Sequence, residues 1–485
     1  MFTRRAFLAS AGAMVGSAAF AGAKVLPAPA RALGPAVSPA AEGVKEITLS
    51  AAERPFALPC FGGRTVQLWT FREGAFPPVV RMKLGETLRA HVENLIPREG
   101  EHITVHWHGI RLPNAQDGVP YVTQRPIEPG ESFDYEFTPP DTGTFFFHTH
   151  CNTAEQLERG LAGVLIIEGD ETEPYDGERL IVLRDWSIGP DGGIGSFYSA
   201  EGAGRAGTFG EIRTANGAVN PTLNVPSAAD IRLRILNVDR TRITQLGIEG
   251  AECAVVAVDG IAVPPFPLKA WRAGPAMRLD VVMRTPAPGG SATLYDYYAA
   301  EPVPLATFCT EGPPLRSRDF DPAPLRAAII PEPGMADAEH LRFDFSAAVG
   351  APVPVTGGAP ETGKFIGELC LAPQTFWAIN KQSWPGRDHS TVPPPLATLT
   401  RGRSYVFTLA NATPHIHPIH IHGHSFKVLK SNKRNLPVHH ADTVLLMPKE
   451  RVEVAFVADN PGDWMFHCHI IEHQETGMMG ILRVA

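Results

Sequence analysis

Cysteine is scarce, with six residues in a chain of 485, at positions 60, 151, 253, 309, 370 and 468. Thiols so few and so scattered exclude a disulfide-stapled scaffold, so hydrophobic burial has to hold the fold. Apart from Cys468, which sits between two histidines, the other five could form at most two bridges, and sequence does not assign their partners. Positive charge is also short: 43 Lys and Arg face 51 Asp and Glu, a formal balance of −8. That removes the electrostatic footprint of a nucleic-acid binder. Methionine is thinly spread, and none lies between Met335 and Met447. That stretch therefore holds no thioether-rich segment. Past the first 23 residues no apolar run is long enough to cross a bilayer, which predicts no membrane span in the mature protein.

What the chain does have is turn chemistry. Glycine and proline number 46 each, together 92 of 485 residues, the signature of many short strands joined by tight turns. The start is different: Thr3-Arg4-Arg5-Ala6-Phe7-Leu8 leads into a small-residue apolar run through Ala23. It reads as a secretory signal over residues 1–32, cleaved after Ala23 or Ala32, and resembles signals of the twin-arginine export machinery. A periplasmic location in a bacterium is the expectation.

Period-two alternation recurs three times with the same ending. Leu88, Ala90 and Val92 lead to Asn94; Ile231, Leu233 and Ile235 lead to Asn237; Tyr405, Phe407 and Leu409 lead to Asn411. Three related units are predicted, over 45–170, 171–340 and 341–485, with boundaries after the strand Gly163 to Glu168 and after the Pro-rich stretch Pro322 to Pro333. Gly350 to Pro360 is expected to be a surface loop. Helical periodicity is weak, so the fold class is all-β, built from Greek-key sandwiches.

The chemistry lies in the histidines. Gly143-Thr-Phe-Phe-Phe-His148-Thr-His150 echoes Gly462-Asp-Trp-Met-Phe-His467-Cys-His469, and His106-Trp-His108-Gly109 echoes His420-Ile-His422-Gly423. Residues i and i+2 of a strand face the same way, so each H-x-H pair aims two imidazoles into one space. The first and third units carry two pairs each and the middle unit none, placing a metal site between the outer units. Imidazole alone leaves copper, zinc, iron and nickel open. A thiolate at Cys468 with His417, His473 and Met478 nearby completes the two-histidine, one-cysteine, weak-methionine set of a blue copper site.

At this point the chain resembles the three-domain multicopper oxidases, the family of laccases, bilirubin oxidases and copper-tolerance cuprous oxidases. The motifs carrying the resemblance are HWHG at 106–109, HTH at 148–150, HPIHIHG at 417–423 and HCHIIEHQETGM at 467–478. It implies three consecutive cupredoxin-like domains and four copper ions. His417, Cys468 and His473 would ligate type 1 copper, with Met478 axial and Met479 the alternative. His106 and His420 would hold type 2 copper, and His108, His148, His150, His422, His467 and His469 the type 3 pair. Electrons from a reductant would enter at His473, at the floor of a substrate cleft, pass through Cys468 to its flanking histidines, and reduce dioxygen to water. Asp117, nine residues after His108, resembles the family's proton-delivering acid. Gln474 stands where many bacterial relatives have glutamate, and Glu475 is one residue off. The reductant implied is a phenol or aromatic amine, with Cu(I) the alternative. His415 is a further candidate at the electron entry, ahead of His424, His439 and His440. A monomer is the family's default, and a copper-free structural or cell-division protein of the same fold is the reading from a different class.

Overall fold

The computed structural model describes residues 43–74, 76–348, 375–384 and 392–485. The segment read as an export signal, the stretch Gly350 to Pro360 and Cys370 lie outside the described residues. Within them the chain makes six sheets that pair into three sandwiches in chain order, of four and four, six and five, and six and five strands. The all-β expectation holds. Helix is limited to short segments, chiefly Thr153–Arg159 and Ile471–Glu475. No described helix is long and apolar enough to cross a membrane.

The threefold repeat is visible in register as well as in sequence. The strands Thr87–Asn94, Asp230–Asn237 and Ser404–Asn411 each pair parallel with an earlier strand of their own unit and antiparallel with a later one. Each buries its alternating apolar side chains, and each terminal asparagine does the same work. Asn94 Nδ2 donates to the carbonyls of Glu101 and Ile127, Asn237 Nδ2 to those of Arg242 and Ala273, and Asn411 Nδ2 to those of His415, Leu446 and Met447. Each Oδ1 accepts the backbone N–H two residues on, at Ile96, Asp239 and Thr413. A buried amide saturated in this way pins the loop after the strand, each bond contributing about 1 kcal/mol. In the third unit that loop leads to His417.

The first and third units share one continuous apolar cluster, running from Leu49 and Trp107 to Phe466, Cys468 and Met478. The second unit has its own, which takes in Leu445 of the third. One residue of the second unit touches both neighbours: Arg240 Nε bonds Glu158 Oε2 at 2.8 Å, and its carbonyl accepts the N–H of Ile471 at 2.9 Å. Ile471 opens the short helix that carries His473.

No disulfide joins Cys60, Cys151, Cys253, Cys309 and Cys468, the described cysteines, which lies within the expectation of at most two bridges.

Candidate metal centre

In each outer unit the two H-x-H pairs sit on adjacent antiparallel strands. Val105–His108 pairs with Gly143–Thr149 so that His106 opposes His148, and His417–Ile421 pairs with Gly462–Cys468 so that His420 opposes His467. Both glycines that end the H-x-H-G motifs are left-handed, and both make room. A Cβ on Gly109 (φ +85°) would lie 2.5 Å from Arg278 Nη2 and Asp442 Oδ2, and one on Gly423 (φ +63°) would lie 2.3 Å from the Trp464 ring.

All the imidazoles predicted as ligands are buried. His108, His148 and His469 place one donor atom each within 4.8 Å of one another, as do His150, His422 and His467. His106 and His420 form a third group together with His108, while His417, Cys468 and His473 form a fourth. The six histidines implied as one set thus divide into two triads, each mixing first and third units.

Whether these sites fit a metal can be read from their nitrogens. The outer nitrogens are spent: Nδ1 of His106, His148, His420 and His467 bonds the carbonyls of Asp117, Thr149, Asp442 and Cys468 at 2.8–2.9 Å. His422 Nδ1 bonds Asp117 Oδ2 at 2.8 Å, and His108 Nε2 bonds Asp442 Oδ1 at 3.1 Å. Such partners fix the tautomer and turn the other nitrogen's lone pair inward. Those inner atoms, His106 Nε2, His108 Nδ1, His148 Nε2 and His420 Nε2, are buried without a hydrogen-bond partner, as are His150 Nε2 and both ring nitrogens of His469. His422 Nε2 and His467 Nε2 face each other at 3.0 Å, two acceptors toward one point. A cation satisfies that arrangement and a proton network does not.

The sulfur cluster has the same logic. His473 Nε2 donates to the carbonyl of Arg205 at 2.8 Å. The hydroxyl of Thr413 gives its proton to Asn411 Oδ1 and accepts from His417 Nε2, both at 2.8 Å. Both Nδ1 lone pairs therefore point inward, 3.0 Å apart, with Cys468 Sγ 3.6 Å from each. Met478 is wholly buried in the apolar cluster that contains Cys468, whereas Met479 packs with Val119, Trp384 and Met465 in another. Burial, assisted by neighbouring imidazoles, holds His108, His148, His150, His417, His420, His422 and His469 well below the ordinary histidine value, and pushes His467 and His473 down to about 3. They stay neutral, as ligation requires. Burial pushes the Cys468 thiol up, so it loses its proton only to a metal.

His473 has no open edge. Its ring is buried, its outer nitrogen is taken by Arg205, and Trp377 packs 4.7 Å from it and 5.3 Å from His417. His415 is half-buried, 5.8 Å from the same indole. The remaining histidine candidates lie elsewhere: His424 is buried against Phe456 and Trp464, and His439 packs on Trp271. Gln474 and Glu475 are buried in the helix Ile471–Glu475, and Glu475 Oε1 accepts the N–H of Ala154.

Two aspartates exchange partners across the outer units. Asp117 bonds His106 of its own unit through its carbonyl and His422 of the third through its carboxylate. Asp442 does the converse, with His420 through its carbonyl and His108 through its carboxylate. Behind Asp442 stands the second unit: Arg278 reaches Oδ1 at 2.9 Å and Oδ2 at 2.5 Å, and Asp259 accepts the N–H of Thr443 at 3.2 Å. Burial and the adjacent Asp442 raise Asp259 to about 7. Asp442, Arg278 and Asp259 belong to no motif, and a unit without an H-x-H pair drew no attention to itself.

Comparison with known proteins agrees with this geometry. Family models described as multicopper oxidase match residues 58–172, 181–301 and 372–485. The chain is 30% identical to the multicopper oxidase MmcO of Mycobacterium tuberculosis, covering 86% of this chain and 83% of that one. It is 26% identical to laccase-1 of Botryotinia fuckeliana over 84% of this chain and 76% of that one. The crystal structure of a multicopper oxidase from Pseudomonas thermotolerans superposes with a TM-score of 0.78 at 35% identity, covering 91% of this chain and all of that one. With three sandwiches, two cross-unit histidine triads and a cysteine between two inward-facing imidazoles, the chain belongs to the multicopper oxidase family, enzymes that oxidise a reductant with dioxygen.

Proposed function

We propose that the protein is an exported, laccase-like oxidase of phenols or aromatic amines that binds four coppers. His417, Cys468, His473 and Met478 would hold type 1 copper, and His106 and His420 type 2 copper. The triads His108, His148, His469 and His150, His422, His467 would hold the type 3 pair. The observation that carries this reading is the set of inward, unpartnered imidazole nitrogens beside one buried thiol. Copper bound there supplies one-electron uptake from the reductant and the four-electron reduction of dioxygen to two waters.

The chain's own residues do the rest. Cys468 lies between His467 and His469, one in each triad, so the covalent path from the sulfur to either triad is a single residue long. Asp117 Oδ2 is occupied by His422. Its Oδ1 lies 3.2 Å from His106 Nδ1, whose proton goes instead to the Asp117 carbonyl, leaving Oδ1 free to accept a proton beside the cluster. Replacing Asp117 with Asn is expected to slow oxygen reduction about 10²-fold, the low end for a positioned acid. Anaerobic reduction of the type 1 site, followed by stopped flow, stays unchanged; equal loss of both makes Asp117 a structural residue.

The laccase-like choice rests on the type 1 end. It is covered by Trp377 and by Arg205, whose guanidinium is exposed and paired to Glu201, and the sequence has no methionine-rich segment to gather Cu(I). Export rests on the Arg4-Arg5 signal alone. The test uses protein recovered from the periplasm and loaded with copper. About four coppers per chain, a thiolate band at roughly 600 nm and faster turnover of a phenol than of Cu(I) are expected. Cytoplasmic retention overturns the export reading, and faster Cu(I) oxidation makes the protein a cuprous oxidase.

A further inference from the structure

A cavity of about 690 Å³ opens at the seam between the second and third units, lined by residues 245–277 of one and 434–445 of the other. Its size is that of a small-molecule site, and seams between domains are where such sites concentrate. The walls combine a flat apolar body with charge of one sign. Phe266 and Trp271 stand with their rings 5.8 Å apart, and Leu436 and Leu445 continue the apolar surface.

Lys269, Arg272 and Arg434 line the same cavity, and no carboxylate does. Arg434 is already neutralised by Glu450, at 2.8 Å. Arg272 bonds only neutral partners, Gln245 Oε1 at 3.0 Å and Met447 Sδ at 3.7 Å, and neither it nor Lys269 has an ion-pair partner among the described residues. The indole Nε1 of Trp271 is buried without an acceptor. Two unneutralised cations beside an aromatic wall call for a single chemistry: a planar apolar body bearing an anionic acceptor.

From this we infer that the seam is a binding site for a small aromatic carboxylate, distinct from the copper ligands. The ring lies against Trp271 and Phe266, and the carboxylate meets Lys269 and Arg272. None of these side chains contacts a predicted copper ligand, so occupancy does not require metal.

The test is titration calorimetry on the full-length protein, with and without copper, using 2-naphthoate, neutral 2-naphthamide and cationic 2-(aminomethyl)naphthalene as probes. The naphthoate is expected to bind one per chain, at least about tenfold more tightly than either analogue, and equally with or without copper. The double variant Lys269→Ala, Arg272→Gln is expected to lose about tenfold in naphthoate affinity while keeping its phenol turnover. Equal binding of the three probes overturns the proposal, as does undiminished affinity in the double variant. Binding that appears only with copper and alters the type 2 EPR signal also overturns it, by placing the carboxylate on the metal instead.

Discussion

Cys468→Ser abolishes the thiolate absorption near roughly 600 nm and takes reductant oxidation to background, while the type 2 EPR signal persists. The thiol is fully buried, its sulfur equidistant from two imidazole nitrogens whose lone pairs are already turned toward it. A serine hydroxyl fills nearly the same space, so the fold survives. It is a hard, weakly acidic ligand, however, and forms no comparable bond to copper. His106 and His420 take their orientation from the carbonyls of Asp117 and Asp442, which the substitution does not touch. Absorption and EPR spectra of the copper-loaded variant check both halves. A variant that keeps its colour removes Cys468 from the ligand set.

Asp442→Ala has the second largest expected effect, and it falls on stability and metal retention together. Arg278 is wholly buried, and the loss of Asp442 takes away the one carboxylate hydrogen-bonded to it, at 2.9 and 2.5 Å, leaving the carbonyls of Asp259, Ala276 and Thr144. Uncovering a buried charge in this way costs about 3–5 kcal/mol. The lower end applies, because Asp259 Oδ1 remains 3.6 Å from Arg278 Nη1. His108 loses the acceptor that fixes its tautomer, and removal of such a partner weakens metal binding by about 10–100-fold. Denaturant unfolding of the metal-free chain and copper counted after dialysis read the two effects separately. Asp442→Asn separates charge from shape: Oδ1 still accepts from His108, but an amide NH₂ then faces Arg278 Nη2. The asparagine variant is expected to recover most of the copper and little of the stability. A chain with wild-type unfolding in both variants would mean that Asp259 and the carbonyls of Thr144 and Ala276 suffice to hold Arg278.

Much of this was legible in the sequence because it was written in short periods. The strands ending at Asn94, Asn237 and Asn411 announced themselves through alternation, and the H-x-H pairs through their i, i+2 spacing. The division of six histidines into two triads was not legible, since it depends on which rings meet across a sandwich seam. Asp442 and Arg278 were silent for the same reason: the bond from His108 to Asp442 spans 334 residues and that from Arg278 to Asp442 spans 164. No local pattern encodes contacts of that reach. The glycines at 109 and 423 were quoted only as parts of motifs, and their purpose emerged from what a methyl group there would strike. His473 was expected at the floor of an accessible cleft. The carbonyl that covers it comes from Arg205, in a unit whose sequence carries no metal motif.

The exchange of carboxylates between Asp117 and Asp442 makes the histidine cluster depend on the whole length of the chain. A polypeptide ending before residue 442 already possesses His106, His108, His148, His150, His420 and His422, and Asp117 can still hold His106 and His422. It lacks the Asp442 carboxylate that aims His108, and each triad is one histidine short, His469 in one and His467 in the other. Such a fragment is expected to retain less copper than the full chain when both are loaded and dialysed.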